Sequence, residues 1–266
     1  MQKGYFQKHF LTLHKLLIRM ETIIKPWQSG EIINTPDENW STAWGGSENQ
    51  WFASIFPRIK HYFPCKNMLE IACRHGRWSK FFLPITINNY VGIDYSYEAI
   101  MQCKDRFTEK KASFFQNDGC SLALADFQKY NFIFSFDYFV SCDLELHRMY
   151  IIQILDLLTE DGICFIHHSN FGEIVSSLSI TAEHPGYIHG RDQTTSAETI
   201  KILIEELGGI VITQELINWG GDSLIDCFTL FSKKRNENER SIKKIINNNF
   251  MKEAETCINI FQSYIQ

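Results

Sequence analysis

Several things are scarce or missing in this chain, and each absence excludes something. Its eight cysteines contain no CxxC pair and no paired metal-like spacing, so the common structural zinc and dithiol arrangements are not expected. Cys73, Cys142, Cys164 and Cys227 sit in or beside apolar runs, where a free thiol behaves as a small hydrophobe, and the set reads as reduced thiols of a cytoplasmic protein. No window reaches the roughly 20 uncharged apolar residues of a membrane span. The N-terminal stretch 5–24 is interrupted by Lys8, His9, His14, Lys15, Arg19 and Glu21 and does not read as a cleavable signal. Nor is there a basic excess. Lys and Arg total 26 against 31 Asp and Glu, a net charge of −5, which gives no support to nucleic-acid binding. The short clusters Lys233-Lys234-Arg235 and Lys243-Lys244 read as a solvated face. No internal repeat is visible.

What is present is an ordinary globular composition, 44% hydrophobic and 21% charged, with 21 Phe among 266 residues. Phe6, Phe10, Leu13, Leu17, Met20 and Ile24 fall at helical spacing and predict an amphipathic helix over 5–24, packed on the main body or on a second subunit. Residues 27–47 read as a loop leading to a helix capped at Ser47. From there strand-length apolar runs at 67–73, 90–93, 113–116, 130–136 and 162–167 alternate with helical patterns at 77–83, 96–109, 119–126 and 143–159. Gly162 is the expected stop of the last helix. Alternation of this kind implies a doubly wound α/β fold with a mostly parallel sheet covered on both faces. A helix at 196–207 then leads to two strands, 210–217 and 224–231, joined by a short turn, which predicts a closing antiparallel hairpin. A charged linker at 233–240 precedes a helical pattern over 242–265. The expected organisation is a helical extension and lid over 1–49, a main domain over 50–232 and a helical tail over 233–266.

The stretch Met68 to Trp78, MLEIACRHGRW, followed by Tyr90-Val-Gly-Ile-Asp94, reads as a buried strand, a tight turn at Gly76, a helix, and a second strand ending in a carboxylate. Such a turn lets backbone N–H groups approach a ligand, and an acid at the end of the next strand accepts both hydroxyls of a ribose. Glu70 adds a second acid, which disfavours a pyrophosphate and favours a cofactor carrying positive charge. The turn lacks Gly-x-Gly-x-x-Gly, which counts against a nucleotide-dependent oxidoreductase, the first alternative.

These segments resemble class I S-adenosylmethionine-dependent methyltransferases. LEIACRHGRWSKF at 69–81 is similar to their glycine-rich first motif, VGID at 91–94 to the second, and Asn117-Asp118 to the adenine-contacting segment. FIFSFDYFV at 132–140 and EDGICFIHHSNFG at 160–172 are similar to the fourth and fifth strands. The resemblance covers about 50–232 and lies nearest to bacterial enzymes that decorate surface polysaccharides. It implies a Rossmann-like sheet of seven strands and S-adenosyl-L-methionine as cofactor. Glu70, Ala72, Arg74, Gly76, Asp94, Tyr95, Asp118, Gly119 and Asp137 are the implied cofactor residues, with Cys120 beside the base. Ala72 and Arg74 replace two of the family's glycines. Ala72 costs little if its φ is negative, whereas Arg74 either crowds the cofactor's methionine or pairs with its carboxylate. A noncatalytic cofactor-binding protein is therefore the second alternative.

Methyl transfer to a neutral alcohol needs a base, and His167 and His168 stand at the carboxyl end of the fifth strand with Asp137 nearby. Alternation sends the two rings to opposite faces. His168 is taken as the base ahead of His167, with a structural role for either ring as the alternative. If the acceptor oxygen is already anionic, as on a phosphate, no base is required. Trp44, Trp219, His189 and Arg191 are the candidate acceptor contacts, with Trp40 and Arg77 as further possibilities. The carboxylates Asp137, Asp143, Glu145, Asp222 and Asp226 match no metal signature, so no metal is assigned, with Mg2+ held by carboxylates, as in some sugar methyltransferases, kept as a minor alternative. The expected acceptor is a sugar, a phosphoramidate or another small-molecule precursor of a capsule. No nucleic-acid partner or stable membrane association is expected, and a homodimer is a reasonable assembly.

Overall fold

A computed structural model describes residues 36–125, 128–177, 180–233 and 242–264. The amphipathic segment read at 5–24 lies outside them. So does the linker read at 233–240, apart from Lys233. The strands are β1 (Cys65–Ile71), β2 (Thr86–Asp94), β3 (Ala112–Gln116), β4 (Tyr130–Phe139), β5 (Leu158–Ser169), β6 (Gly209–Ile217), β7 (Asp226–Lys233) and β8 (Lys243–Asn247). They form one sheet in the order β3-β2-β1-β4-β5-β7-β6-β8. Strands β1 to β5 pair in parallel, and β7 runs antiparallel between β5 and β6. The closing hairpin expected from sequence is present.

Helices cover both faces. The principal ones are α1 (Ser79–Ile85), α2 (Tyr97–Arg106), α3 (Leu144–Leu157), α4 (Ala197–Glu206) and α5 (Phe250–Tyr264). Helix α3 starts where the Asp143 carboxylate accepts from Leu146 N, and α4 starts with a capping box between Ser196 and Thr199, both of which satisfy otherwise orphaned amides. On one face α3 and α4 bury an aliphatic layer that includes Leu69, Val91, Ile133, Ile151, Ile154 and Ile204. On the other, α1, α2 and α5 bury an aromatic layer of Trp51, Phe82, Phe134, Phe165, Phe228 and Phe250. A 3-10 helix, Pro36–Trp44, and a helical run over 47–62 lie on this aromatic side and pack against α5.

Four local expectations are corrected. Residues 243–247 form an eighth strand, parallel to β6, and the last helix begins only at Phe250. Adjacent Ile245 and Ile246 satisfy a helical pattern, but as β-branched residues beside a free sheet edge they pair instead. An Asx turn ends the pairing, with Asn249 N donating to Asn247 Oδ1 at 3.0 Å. Helix α3 stops at Leu157, and Gly162 lies inside β5 rather than capping the helix. A Cβ at Gly162 would stand 2.8 Å from Tyr130 O and 2.9 Å from Thr159 N, so close backbone approach explains the glycine. Ser47 is the first helical residue, and its hydroxyl donates to Glu38 at 2.7 Å instead of capping. The helix read at 119–126 reduces to a 3-10 turn, Ala123–Ala125.

Candidate functional site

The carboxyl ends of β1, β2, β3, β4 and β5 open toward one edge of the sheet, the position where doubly wound folds bind ligands. Immediately after β1 the chain turns sharply, with φ of 58° at Ala72, 48° at Arg74 and 81° at Gly76. Ala72 therefore does not have the negative φ expected of it. Two side chains occupy a left-handed region that costs an L-residue about 1–2 kcal/mol, and such outliers cluster at functional sites. The turn is held by backbone bonds from Cys73 N to Ile93 O and from Gly76 N to Cys73 O, each 2.9 Å. Gly76 is doubly constrained, because a Cβ there would come within 2.3 Å of the Phe107 ring.

Asp94, at the end of β2, is 3% exposed. Its two oxygens accept from the backbone of Arg74 (2.9 Å) and Ser96 (2.8 Å), which fixes the carboxylate beneath the turn. The Arg74 side chain neither crowds this crevice nor points a free cation into it. Its Nε donates to Asp37 Oδ1 at 3.0 Å and its guanidinium lies 4.8 Å from the centre of the Trp40 ring. Asp37 also accepts from His75 N at 2.9 Å and lies 3.0 Å from His75 Nδ1. The 3-10 helix Pro36–Trp44 is thus strapped across the turn.

On the far side of Asp94, Tyr95 is exposed. A Cβ built on Gly119 (φ 83°) would meet nothing nearer than Tyr95 Cβ at 3.9 Å, so the two residues lie side by side. Asp118 uses one oxygen to accept from Cys120 N (3.0 Å) and Ser121 N (2.7 Å). Those bonds lower its pKa. Gly119 O accepts from Tyr138 Oη at 2.7 Å. Glu70 is buried on β1 and accepts from Ser79 Oγ (3.0 Å) and from Tyr90 Oη. Burial pushes its carboxyl up to about 7.

The end of β4 carries another left-handed residue, Asp137 (φ 66°), at a point where the β4–β5 register shifts. Here five charged side chains form a buried chain. Arg77 Nη2 donates to Asp137 Oδ2 at 2.6 Å, and Asp137 Oδ1 lies 3.1 Å from His167 Nδ1. His167 Nε2 makes a 3.2 Å ion-pair contact with Asp226 Oδ2, off the line of a good hydrogen bond. Asp226 in turn takes a two-pronged contact from Arg191, at 2.8 and 2.5 Å. Burial opposes charge on His167, yet the two carboxylates outweigh it and raise the imidazole's pKa. Burial likewise opposes ionisation of Asp137, and the Arg77 and His167 cations hold it well below the usual range. The chain therefore sets the His167 ring between two arginine–carboxylate pairs that favour its charged form.

His168 faces the other way. It is fully buried, with Nδ1 2.8 Å from Ser169 O and Nε2 2.7 Å from Thr229 Oγ1. Burial, together with His147, pushes its pKa down to about 3. Both of its ring nitrogens are occupied within the protein.

Of the candidate acceptor contacts, Trp44 and Trp219 stack with centroids 4.9 Å apart, and Trp219 lies 5.5 Å from the His167 ring. Trp44 is core rather than surface. Arg191 sits under Trp219 (5.2 Å) and is committed to Asp226. His189 is exposed beside Gly220. The residue that sequence reasoning passed over is Asp37, for which no local motif gives a signal, whereas Ser41 and Gln50 lie in the aromatic stretch 40–51 that reads as a candidate acceptor segment. Asp226 entered only as a metal candidate. Asp143 caps a helix, and among the described residues no three His, Cys, Asp or Glu group as a metal would require. Among the same residues no helix is long and apolar enough to cross a membrane.

A mostly parallel sheet closed by an antiparallel β7, with a strained turn after β1 and an acid ending β2, is the class I methyltransferase fold. Residues 68–162 match the family model described as a methyltransferase domain. Solved structures agree at low identity. The N-methyltransferase NodS from Bradyrhizobium japonicum WM9 is 16% identical, with a TM-score of 0.52 over 71% of this chain and 97% of that one. An S-adenosylmethionine-dependent methyltransferase from Clostridium acetobutylicum ATCC 824 is 12% identical, with a TM-score of 0.52 over 82% and 99%. The CcbJ methyltransferase from Streptomyces caelestis is 10% identical, with a TM-score of 0.52 over 71% and 96%. No curated protein sequence matches the chain.

Proposed function

We propose that this protein is an S-adenosylmethionine-dependent methyltransferase acting on an oxygen of a small molecule. The observation that carries this reading is Asp94, a buried carboxylate held at the end of β2 by two backbone amides directly under the left-handed turn. The residues fit the cofactor. Asp94 would take the ribose hydroxyls, Asp118 the adenine amino group, and Tyr95, Gly119 and Cys120 the faces of the base. The backbone of Ala72, Arg74 and Gly76 would border the chain between sulfur and ribose, with Glu70 and Asp137 toward the methionine end. When bound, S-adenosylmethionine supplies an electrophilic methyl group on a sulfonium.

The chain's own part is to bind and align. Neither histidine takes the acceptor's proton in this reading, because His168 has both nitrogens engaged and His167 is wedged between two carboxylates. Asp137, held strongly ionised, is a weak base. His167 and Asp137 are therefore positioning residues, and rate comes from holding the acceptor in line. An acceptor oxygen that is already anionic or readily ionised fits this best, in keeping with a phosphate-bearing or phosphoramidate-bearing precursor of a surface polysaccharide. Trp219, Arg191 and His189 would border that acceptor, and Trp44 would support Trp219.

Calorimetry with S-adenosylhomocysteine on wild type and Asp94→Ala tests the proposal. Micromolar binding that falls by about 100-fold or more in the variant is expected for losing a buried charged acceptor of two hydroxyls. Absence of binding to wild type would overturn the cofactor assignment.

A further inference from the structure

Four buried side-chain donors on the aromatic side have no partner among the described residues: the indole N–H groups of Trp44 and Trp78, the amide NH2 of Gln50 and the hydroxyl of Ser54. None of these residues is more than 3% exposed. Such orphans are rare, because each costs about 1–3 kcal/mol of desolvation.

Their surroundings connect them. Arg77 Nη1 lies 3.4 Å from Ser41 Oγ, and Ser41 Oγ donates to Gln50 Oε1 at 2.7 Å. An arginine can only donate, so Ser41 accepts from it and spends its own proton on the Gln50 carbonyl. This order sets the amide orientation and leaves the NH2 as the free end. Trp44 follows Ser41 by three residues in a 3-10 helix, which places both on one face. Ser54 follows Gln50 by one turn of the helical run. The Trp78 ring lies 4.5 Å from the Arg77 guanidinium. Gln50 and Trp78 are thus tied to the cation at the head of the buried ionic chain, through Ser41 and a ring contact, and Trp44 and Ser54 lie one helical turn from Ser41 and Gln50.

We infer that Gln50, Ser54, Trp44 and Trp78, grouped around Arg77 and Ser41, form an oxyanion-receiving subsite for a carboxylate or phosphate group. Three of the four are donors only, and the fourth can donate. The complementary ligand is rich in acceptors and poor in hydrogens. The charge balance agrees, since Arg77, His167 and Arg191 face only Asp137 and Asp226 along the chain. Glu70 is also near Arg77, but a carboxyl pushed up to about 7 carries only part of a charge near neutrality. A desolvated site with fixed donors beside the Arg77 guanidinium holds an oxyanion with short, charge-assisted bonds. The inference rests on the methyltransferase reading for its two sources of oxyanion: the methionine carboxylate of the cofactor, or an acidic group on the acceptor.

The test uses the full chain with Gln50→Glu, which keeps the Ser41 contact but turns the free donor into an acceptor, and Ser54→Ala, which only removes an orphan. Ser54→Ala should leave the thermal midpoint of the bare protein unchanged or raised, so it remains readable if Gln50→Glu folds poorly. Calorimetry is run with S-adenosylhomocysteine, with 5′-methylthioadenosine, which lacks the amino-acid carboxylate, and with inorganic phosphate added to homocysteine-nucleoside-saturated protein. Losing one charge-assisted bond should weaken the oxyanion by about tenfold or more. Weakening of S-adenosylhomocysteine alone assigns the subsite to the cofactor's carboxylate. Loss of phosphate binding with S-adenosylhomocysteine intact assigns it to the acceptor. Unchanged binding of both, or parallel weakening of S-adenosylhomocysteine and 5′-methylthioadenosine, overturns the inference. If wild type binds no S-adenosylhomocysteine, the cofactor reading fails by itself, and phosphate on the bare protein still decides the subsite.

Discussion

The two faces of the sheet differ in kind. The face under α3 and α4 is mainly aliphatic, with Tyr130, Phe139, Tyr150 and Phe231 among its Ile, Leu and Val, and it holds a fully bonded His168 beside His147, whose Nε2 is an orphan among the described residues. The face under the strap and α5 is aromatic, and it holds His167, the ionic chain and the orphaned donors. Neighbours in sequence, His167 and His168 differ in charge because each faces a different layer. The comparison teaches that one face was packed for stability and the other gives some up for polar groups that a ligand can use.

Arg58 offers the strongest way to break the contrast. From the helical run it grips Glu215 on β6 (2.7 Å) and Glu253 on α5 (2.7 and 2.9 Å), and lies over the Phe228 and Phe250 rings. Arg58→Met should cost about 3–5 kcal/mol, since it leaves two carboxylates unpaired in a mostly buried place. Urea unfolding measures this, and a loss below about 1 kcal/mol would show that the aromatic face does not depend on the clasp.

Next comes the pair of histidines. His167→Gln should cost about 3 kcal/mol because it strands Asp137 and Asp226 opposite each other. His168→Gln should cost about 1–2 kcal/mol, the scale of neutral buried hydrogen bonds. Equal losses in parallel denaturation curves would erase the distinction between the faces.

Their pH dependences should also oppose. His167 has a raised folded pKa, so its contribution is complete below its unfolded value and fades as pH rises through the folded one. His168, lowered to about 3, contributes above its unfolded value near 6.5, and that contribution fades as pH falls from there toward 3. Thermal melts between pH 4 and 9 should show His168→Gln flattening the acid limb and His167→Gln flattening the alkaline one. The reverse assignment would contradict the charge states derived from the geometry.

The smallest expected effect is a gain. Ala72→Gly relieves a side chain at φ 58° and should stabilise by about 0.5–1 kcal/mol, after the extra chain entropy of glycine is subtracted. A destabilisation instead would mean that the Ala72 methyl group makes packing worth more than the strain.

The parallel sheet and its closing hairpin were legible because they follow from local patterns. Apolar runs such as Phe132–Phe136 and Gly162–His167 can only be central strands, and the spacing from Gly76 to Asp94 locates the crevice. Strand β8 was not legible, because Ile245 and Ile246 satisfy two periodicities at once and only the open edge of β6 decides between them. The surroundings of the two histidines were not legible for a similar reason. Proximity in sequence places His167 and His168 together at a strand end, whereas their charges depend on Asp137, Asp226 and Thr229, which arrive from other strands. The role of Asp37 as an anchor for Arg74 and His75 has no sequence signature at all.

The Arg58 clasp also sets an order of events during synthesis. A nascent chain that has emerged through Lys233 has all of β1 to β7, yet Glu253 has not been made and α5 is not there to cover the helical run. Arg58 then holds Glu215 alone, and Trp44 lacks its Phe250 neighbour. The earliest part of the described chain is thus secured by the latest. A ribosome must pass α5 before the region over the cofactor turn can settle.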